Sequence, residues 1–290
     1  MSAPFPRARK RFGQHFLEPA WVTRLVNLVA PAADDTFLEI GPGRGALTRV
    51  LAPRVRHVIA VEIDRDLAAA LPGTVPSNVT VIEGDFLAMD VATLLRQGRP
   101  ARGSEEVPTV ASEAGHAVAR TVRPARVIGN LPYNISSPIL FKLLAAADDG
   151  RAFSDATLML QKEVVDRLIA APGSGDYGTL AIQVARVAEV DRLLTLPPGA
   201  FRPPPRVTSA VVRLRFRPPT VDVGDATIFE RVVRGMFLQR RKTVGNALKP
   251  VADARGLAAG EVLVRAGVDS RRRPETLALD EIARICRAML

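Results

Sequence analysis

The sequence predicts an α/β chain: a doubly wound domain over residues 21–218, preceded by a basic arm (1–20) and followed by a small all-α domain over 222–290. Three observations predict it. A short apolar strand at Thr36–Ile40 runs straight into G-P-G-R-G and then into a helical pattern through Leu47, Val50 and Leu51, which is the entry of a doubly wound sheet. Further short apolar strands follow, and their tips carry Glu62, Asp85 and Asn130. From Asp222 the period changes to 3.6, with Phe229, Val232, Val233, Met236 and Phe237 on one stripe.

Taken in order, the arm carries Arg7, Arg9, Lys10 and Arg11 with no acid until Glu18. With a formal charge of +10 on the whole chain, a phosphate contact is expected of it rather than a merely solubilising role. F-G-Q-H-F-L follows, then a helix through Trp21, Leu25, Leu28 and Val29. The glycine turn holds Gly41, Gly43 and Gly45, a G-x-G-x-G spacing that differs from the G-x-G-x-x-G of dinucleotide folds and disfavours NAD. The second strand, 57–61, ends in Glu62 and Ile63, an acid placed about 20 residues beyond the glycines to bind ribose hydroxyls. Asp64 and Asp66 better suit a helix N-terminus. The third strand, 79–82, ends in Gly84, Asp85 and Phe86, where Asp85 is placed to accept from an adenine amine.

The pattern is interrupted at 96–124, a stretch rich in Gly, Pro, Ala, Ser and Arg that reads as a long loop, with a short helix around 113–120. A fourth strand at Val127 and Ile128 is then broken by Gly129 and leads into Asn130-Leu131-Pro132-Tyr133. Proline fixes its own φ, has no N–H, and pushes Leu131 out of the helical region. The corner therefore presents two acceptors, the Asn130 side-chain oxygen and the Leu131 carbonyl, beside the Tyr133 ring. An exocyclic amine on a flat base has two donors in a plane and a π-face, and the corner matches it group for group. Accepting from both N–H bonds draws the nitrogen lone pair out of ring conjugation, which an aromatic amine needs before it becomes a nucleophile.

Beyond the corner a helix is expected from 137 to 144, a strand at 157–160, a helix at 161–171, and strands at 190–196 and 207–216. Phe201 sits between proline-stiffened segments, as a core plug or as a stacking platform. Arg240, Arg241 and Lys242 form a basic cluster, and Arg271, Arg272 and Arg273 a second; with the arm they suggest a nucleic-acid cleft. The single cysteine, Cys286, permits no internal disulfide and suits a reducing cytosol. No run approaches the roughly 18 apolar residues of a membrane span, and the start shows no apolar signal region. The three histidines lack metal-ligand spacing, so no metal is expected.

F-G-Q-H-F-L, L-E-I-G-P-G-R-G-A-L-T, V-E-I-D-R-D-L, G-D-F-L, I-G-N-L-P-Y-N-I-S-S-P, M-L-Q-K-E-V, Y-G-T-L and F-R-P-P-P-R-V-T-S-A-V-V-R-L resemble, in the same order, the ribosomal RNA adenine dimethyltransferases. Within them the chain looks most like the bacterial small-subunit type, whose relatives include the erythromycin-resistance methylases. The resemblance implies a Rossmann-like methyltransferase domain, S-adenosylmethionine as methyl donor, and N6,N6-dimethylation of two adjacent adenines near the 3′ end of 16S rRNA in the small subunit. It implies a cytoplasmic enzyme acting as a monomer. His15, Leu17, Gly41, Gly43, Glu62, Ile63, Asp85, Phe86 and Asn130 would line the cofactor pocket. Asn130, Leu131, Pro132 and Tyr133 would hold the target base, with Phe201 stacking on it. Arg9, Lys10, Arg11, Arg240, Arg241 and Lys242 would contact RNA phosphates. The 96–124 loop departs from the family, being longer than its usual connection. Three alternatives remain open on the residues: a methylase of 23S rRNA or DNA adenine, a non-catalytic ribosome assembly factor, and a NAD oxidoreductase.

Overall fold

The computed structural model describes residues 15–97, 124–147 and 152–290. The basic residues Arg9, Lys10 and Arg11 and nearly all of the 96–124 loop, with its expected helix, lie outside the described residues. The chain divides into two compact units: residues 1–160 with 193–213, and residues 161–192 with 214–290.

In the first unit, β1 (Phe16–Leu17) precedes α1 (Pro19–Val29), which starts with proline where a missing N–H costs nothing. There follow β2 (Thr36–Ile40), α2 (Ala46–Leu51), β3 (His57–Glu62), α3 (Arg65–Ala70), β4 (Val79–Glu83), α4 (Val91–Gln97), β5 (Ala125–Asn130), α5 (Ser136–Ala147) and β6 (Phe153–Gln161). Next come α6 (Lys162–Leu168) and α7 (Thr179–Val187) of the second unit, then β7 (Ala188–Leu196), β8 (Phe201–Arg202) and β9 (Ser209–Phe216). The boundary between the units runs through β7 and β9.

The main sheet has the strand order β4-β3-β2-β5-β6-β9-β7. β2 pairs in parallel with both β3 and β5, β3 with β4, and β5 with β6. The chain therefore moves one way from β2 to β4 and the other way from β5 to β6. The place where strand order reverses, between β2 and β5, is where a doubly wound sheet opens a crevice at its carboxyl ends. β2 and β3 are buried almost throughout, as strands covered on both faces must be. Phe37, Val58, Ala60, Ile128 and Met159 from four strands join Val22, Leu25, Val26 and Val29 of α1 in one core.

At the opposite edge of these strands one guanidinium ties several elements together. Arg126 on β5 donates from Nη1 to Asp35 at 2.8 Å and to the Ala30 carbonyl at 3.2 Å. It donates from Nη2 to the Val29 carbonyl at 2.9 Å and from Nε to Asp155 at 2.9 Å. Its plane lies 4.9 Å from the Phe37 ring centroid. The fork caps the end of α1, where Ala30 takes a left-handed φ of 51°, and holds the entries of β2, β5 and β6.

The second unit contains α6, α7, α8 (Ala226–Leu238), α9 (Val244–Asp253), α10 (Ala259–Ala266) and α11 (Leu279–Arg287). Asp225 caps α8 by accepting from the Ile228 N–H at 2.9 Å. The stripe of Phe229, Val232, Val233 and Met236 is buried as its spacing requires. The sequence reading ends the α/β domain at 218; the structure instead groups 161–192 with the helices. The reason is apolar: Tyr177, Ala181 and Ile182 are buried in the helical core, and the Tyr177 hydroxyl donates to the Leu277 carbonyl at 2.9 Å. Cys286 is buried in the same core, and burial pushes its thiol up to about 12, which makes it chemically inert. Residues 180–187, whose pattern suits either a helix or a strand, lie in helix α7, and β6 is longer than the expected strand at 157–160.

Two residues of the first unit carry testable consequences. Replacing Arg126 by Met leaves Asp35 and Asp155 without their cation, and at 12% side-chain exposure of Arg126 the loss should be about 3 kcal/mol or more. The unfolding transition of the sheet should fall by roughly 6 °C or more, and calorimetry showing no shift would refute this role. Glu39, fourth in β2, is 1% exposed, and its Oε2 has no hydrogen-bond partner among the described residues. Burial, reinforced by the charge of Glu62 and opposed by Thr48 and Arg49, raises its carboxyl to about 7 from 4.5. Between those values the folded chain keeps a proton that the unfolded chain releases, so stability falls as pH rises through that window. Glu39→Gln should therefore gain melting temperature over the parent at pH 8 but much less at pH 5; an equal difference at both pH values would count against it.

Candidate active site

The carboxyl ends of β2, β3, β4 and β5 surround a cavity of about 260 Å³. Its wall includes His15, Phe16, Leu17, Glu39, Gly41, Gly43, Glu62, Ile63, Asp85, Phe86 and the corner from Asn130 to Tyr133. The site lies wholly in the first unit. Gly41 leaves β2 at φ 68°, a left-handed conformation that glycine adopts without penalty. A Cβ there would meet no protein atom within 4 Å, so it would project into open space. The Gly41 N–H donates to the Val61 carbonyl at 2.9 Å, which holds the turn against β3.

Glu62 is 4% exposed and clasps the turn from the other side. Its Oε2 accepts from the Gly43 N–H and its Oε1 from the Asp64 N–H, both at 2.9 Å. Burial raises its pKa, and these amides work against the rise. A carboxylate has about four lone-pair positions, so these two bonds leave it further acceptor capacity. Asp64 caps α3 by accepting from the Asp66 N–H at 3.1 Å, the helix-end role its position suggests. Asp85 accepts from the Leu87 N–H at 2.8 Å through Oδ1 and caps the 3₁₀ turn Phe86–Ala88. Glu39, Glu62 and Asp85 thus reach one cavity from the adjacent strands β2, β3 and β4.

The corner is held rigid by contacts from distant sequence. The Asn130 amide donates from Nδ2 to the His15 carbonyl at 2.7 Å, which turns its Oδ1 into the acceptor left for a ligand. His15 is itself fixed, donating from Nδ1 to the Pro203 carbonyl at 2.8 Å. The His15 and Tyr133 rings stack with centroids 5.8 Å apart. The Tyr133 hydroxyl lies 2.6 Å from the hydroxyl of buried Ser209, and burial raises the phenol's pKa. The Leu131 N–H donates to the Met159 carbonyl at 3.2 Å and its side chain is buried, so the extended Leu131-Pro132 step is anchored to β6.

The structure corrects three expectations. Gly129 does not break β5, which runs through Asn130. A Cβ at Gly129 would sit 2.8 Å from the Ile40 carbonyl, so the glycine serves close strand approach. Phe201 is not a stacking platform. It is 0% exposed, pairs with Leu17 through β8 and β1, and is packed into the core below the site; it is the plug of its proline-rich loop. Arg240 is not a free cation, since it donates to Glu275 at 2.9 Å and to the Gly175 carbonyl at 3.1 Å. Arg241 and Lys242 are exposed. The sequence reading missed Glu39, an acid inside an otherwise apolar strand, which is itself a visible signal. It also missed Ser209, which carries no signal because its role depends on meeting Tyr133.

Comparison with known proteins agrees with this geometry. The family model described as ribosomal RNA adenine dimethylase matches residues 6–285. The chain is 43% identical over 294 positions to the ribosomal RNA small subunit methyltransferase A of Geobacter sulfurreducens, covering 98% of this chain and 96% of the relative. It is 43% identical to the protein of the same name from Alcanivorax borkumensis, over 94% of this chain and 87% of the relative. Among solved structures, a dimethyladenosine transferase from Plasmodium falciparum shares the fold with a TM-score of 0.71 at 22% identity, covering 93% of this chain and 96% of that one. The 23S rRNA methyltransferase ErmE aligns with a TM-score of 0.59 at 26% identity, covering 94% and 99%. The chain belongs to the ribosomal RNA adenine dimethylase family and is a methyltransferase acting on adenine in ribosomal RNA.

Proposed function

We propose that this chain uses S-adenosylmethionine to dimethylate N6 of two adjacent adenines near the 3′ end of 16S rRNA in the small ribosomal subunit. The observation that carries this reading is the Asn130 side chain, whose Nδ2 is committed to His15 so that Oδ1 is the acceptor beside Tyr133. The cavity suits the cofactor on four counts. Glu62 keeps acceptor positions for a ribose diol, and Asp85 keeps an oxygen for an adenine amine. Gly41 leaves open the space a side chain would fill, and Glu39 in the wall has an orphaned carboxylate oxygen that a cationic amino-acid end would satisfy.

When bound, the cofactor supplies a methyl group on a positively charged sulfur that becomes neutral as the methyl leaves. The chain's own residues then have one main task, which is alignment. Asn130 Oδ1 and the Leu131 carbonyl accept the two N–H bonds of the target amine and turn its lone pair toward the methyl. Tyr133 offers its ring to the base, a contact worth about 1–3 kcal/mol, which offsets part of the few kcal/mol needed to take the base out of its stack. Holding both reactants in line is worth about 7 kcal/mol or more of the barrier. The methylated amine is a strong acid as first formed and loses its proton readily, so no strong base is required of the corner. His15 fits that picture: its Nδ1 is committed to Pro203 and its ring to stacking.

Two experiments check this. Small subunits lacking the modification, incubated with the protein and S-adenosylmethionine, should yield N6,N6-dimethyladenosine at adjacent 16S positions by mass spectrometry. Asn130→Ala should reduce kcat/KM about 100-fold or more, by analogy with loss of one preorganised polar group elsewhere. Methylation of 23S rRNA instead would defeat the substrate assignment, and a fully active Asn130→Ala would defeat the corner's role. For the basic surface, affinity for the subunit should fall steeply with salt. Replacing Arg9, Lys10 and Arg11 by Ala should flatten the log–log slope by about 2–3, and Arg241→Ala with Lys242→Ala by about 1–2. Slopes equal to the parent's would make these residues plain solvated charge.

A further inference from the structure

The 3₁₀ turn at Phe86–Ala88 follows directly on Asp85, and both Asp85 and Phe86 line the cavity. Such a turn is too short to hold itself by its own backbone bonds, of which two are Ala88 N–H to Asp85 at 3.0 Å and Met89 N–H to Phe86 at 3.3 Å. One side chain from another element completes it. Lys142 on α5 donates from Nζ to the carbonyls of Phe86 and Leu87, both at 2.8 Å, and to the carbonyl of Met89. An ammonium has three donors, so all of them are spent on this one loop. The Nζ also lies 5.1 Å from the Phe86 ring centroid. Lys142 is part-buried, and its hydrogen-bond partners among the described residues are backbone carbonyls, with the Asp90 carboxylate near enough to feel its charge. A cation placed for solubility would not be turned inward onto three carbonyls.

The helix that carries Lys142 is the one that begins just past the Asn130–Tyr133 corner. Ser136, the first residue of α5, donates from Oγ to the Tyr133 carbonyl at 3.1 Å. Ile139, three residues before Lys142 and on the same helix face, is part of the cavity wall. One rigid helix thus touches the corner at its start, the cavity in its first turns, and the loop bearing Asp85 through Lys142.

We propose that Lys142 is a positioning residue: it clamps the Asp85–Met89 loop to α5 so that the adenine end of the cofactor site is set in register with the corner that holds the target base. The inference rests on the cofactor reading given above. Lys142 touches no reacting atom, so its removal should weaken cofactor binding and leave the methyl transfer step largely intact. The expected pattern is a split between KM and kcat.

The test is calorimetry and kinetics on the full chain. Wild-type protein that fails to bind S-adenosylmethionine would overturn the cofactor reading itself. With wild-type binding established, Lys142→Met should raise Kd for S-adenosylmethionine about tenfold or more, the loss expected of one set of charge-assisted hydrogen bonds. The inhibition constant of adenosine, which lacks the methionine end, should rise by the same factor. At saturating cofactor kcat should stay within about threefold, and Lys142→Arg should recover most of the affinity, since it keeps a charge and several donors. Lys142→Gln, with two donors, should be intermediate and serves if the Met variant does not fold. Asp85→Ala and the Lys142→Met/Asp85→Ala pair should bind alike, because the lysine acts through the loop. Unchanged affinity in a folded Lys142→Met protein would overturn the proposal. So would a loss of kcat at constant KM, or independent, multiplying effects in the double variant.

Discussion

The site depends on how closely β5 lies against β2. Gly129 has no side chain, and a Cβ there would meet the Ile40 carbonyl at 2.8 Å and the Leu131 side chain at 2.9 Å. Any larger residue would force the two strands apart at the point where strand order reverses. That approach brings two chain exits side by side. β2 leaves the sheet through Gly41 and β5 leaves it through Asn130. The glycine turn and the N-L-P-Y corner are therefore neighbours because two strand ends are neighbours, and in the reaction proposed above a shift of either strand would separate donor from acceptor by more than methyl transfer tolerates.

Around this junction the chain concentrates carboxylates in an enclosed space. Glu39 and Glu62 are nearly inaccessible, and both have their acidity weakened by burial. Buried acids without full partners cost stability, and a fold keeps them where a ligand supplies what is missing. A cofactor with a cationic sulfur, an ammonium and two ribose hydroxyls supplies those groups. The cations of the chain are used differently. Arg126 holds strand entries at the far edge, and Lys142 holds backbone carbonyls of the Asp85–Met89 loop. Neither lines the cavity, so neither is paired with the acids there.

Much of this is legible in the chain before folding. The strand–glycine–helix entry, the acids at the ends of β3 and β4, and the stiff N-L-P-Y step are local features, since each depends on residues within a few positions of one another. The amphipathic period of α8 is local in the same sense. Errors arose where local pattern was silent about packing. A phenylalanine between prolines reads equally as platform or plug, and only the meeting of β8 with β1 makes Phe201 a plug. A run of three cations reads as a surface, and only Glu275 shows that Arg240 is internal wiring.

Local pattern therefore carries the class of fold, the family, and the candidate groups of the site. What only tertiary structure decided is which of those groups are free. Asn130 turns its Oδ1 toward the cavity because the carbonyl of His15, distant in the chain, accepts from its amide nitrogen. Tyr133 is oriented because Ser209 waits on β9, and the Asp85–Met89 loop is tied to α5 because Lys142 reaches its carbonyls. The 161–192 segment joins the helices because Tyr177, Ala181 and Ile182 are buried in their core. The physical reason is the same in each case. Hydrogen-bond capacity and apolar area are properties of a residue, but whether they are spent depends on partners that sequence distance conceals.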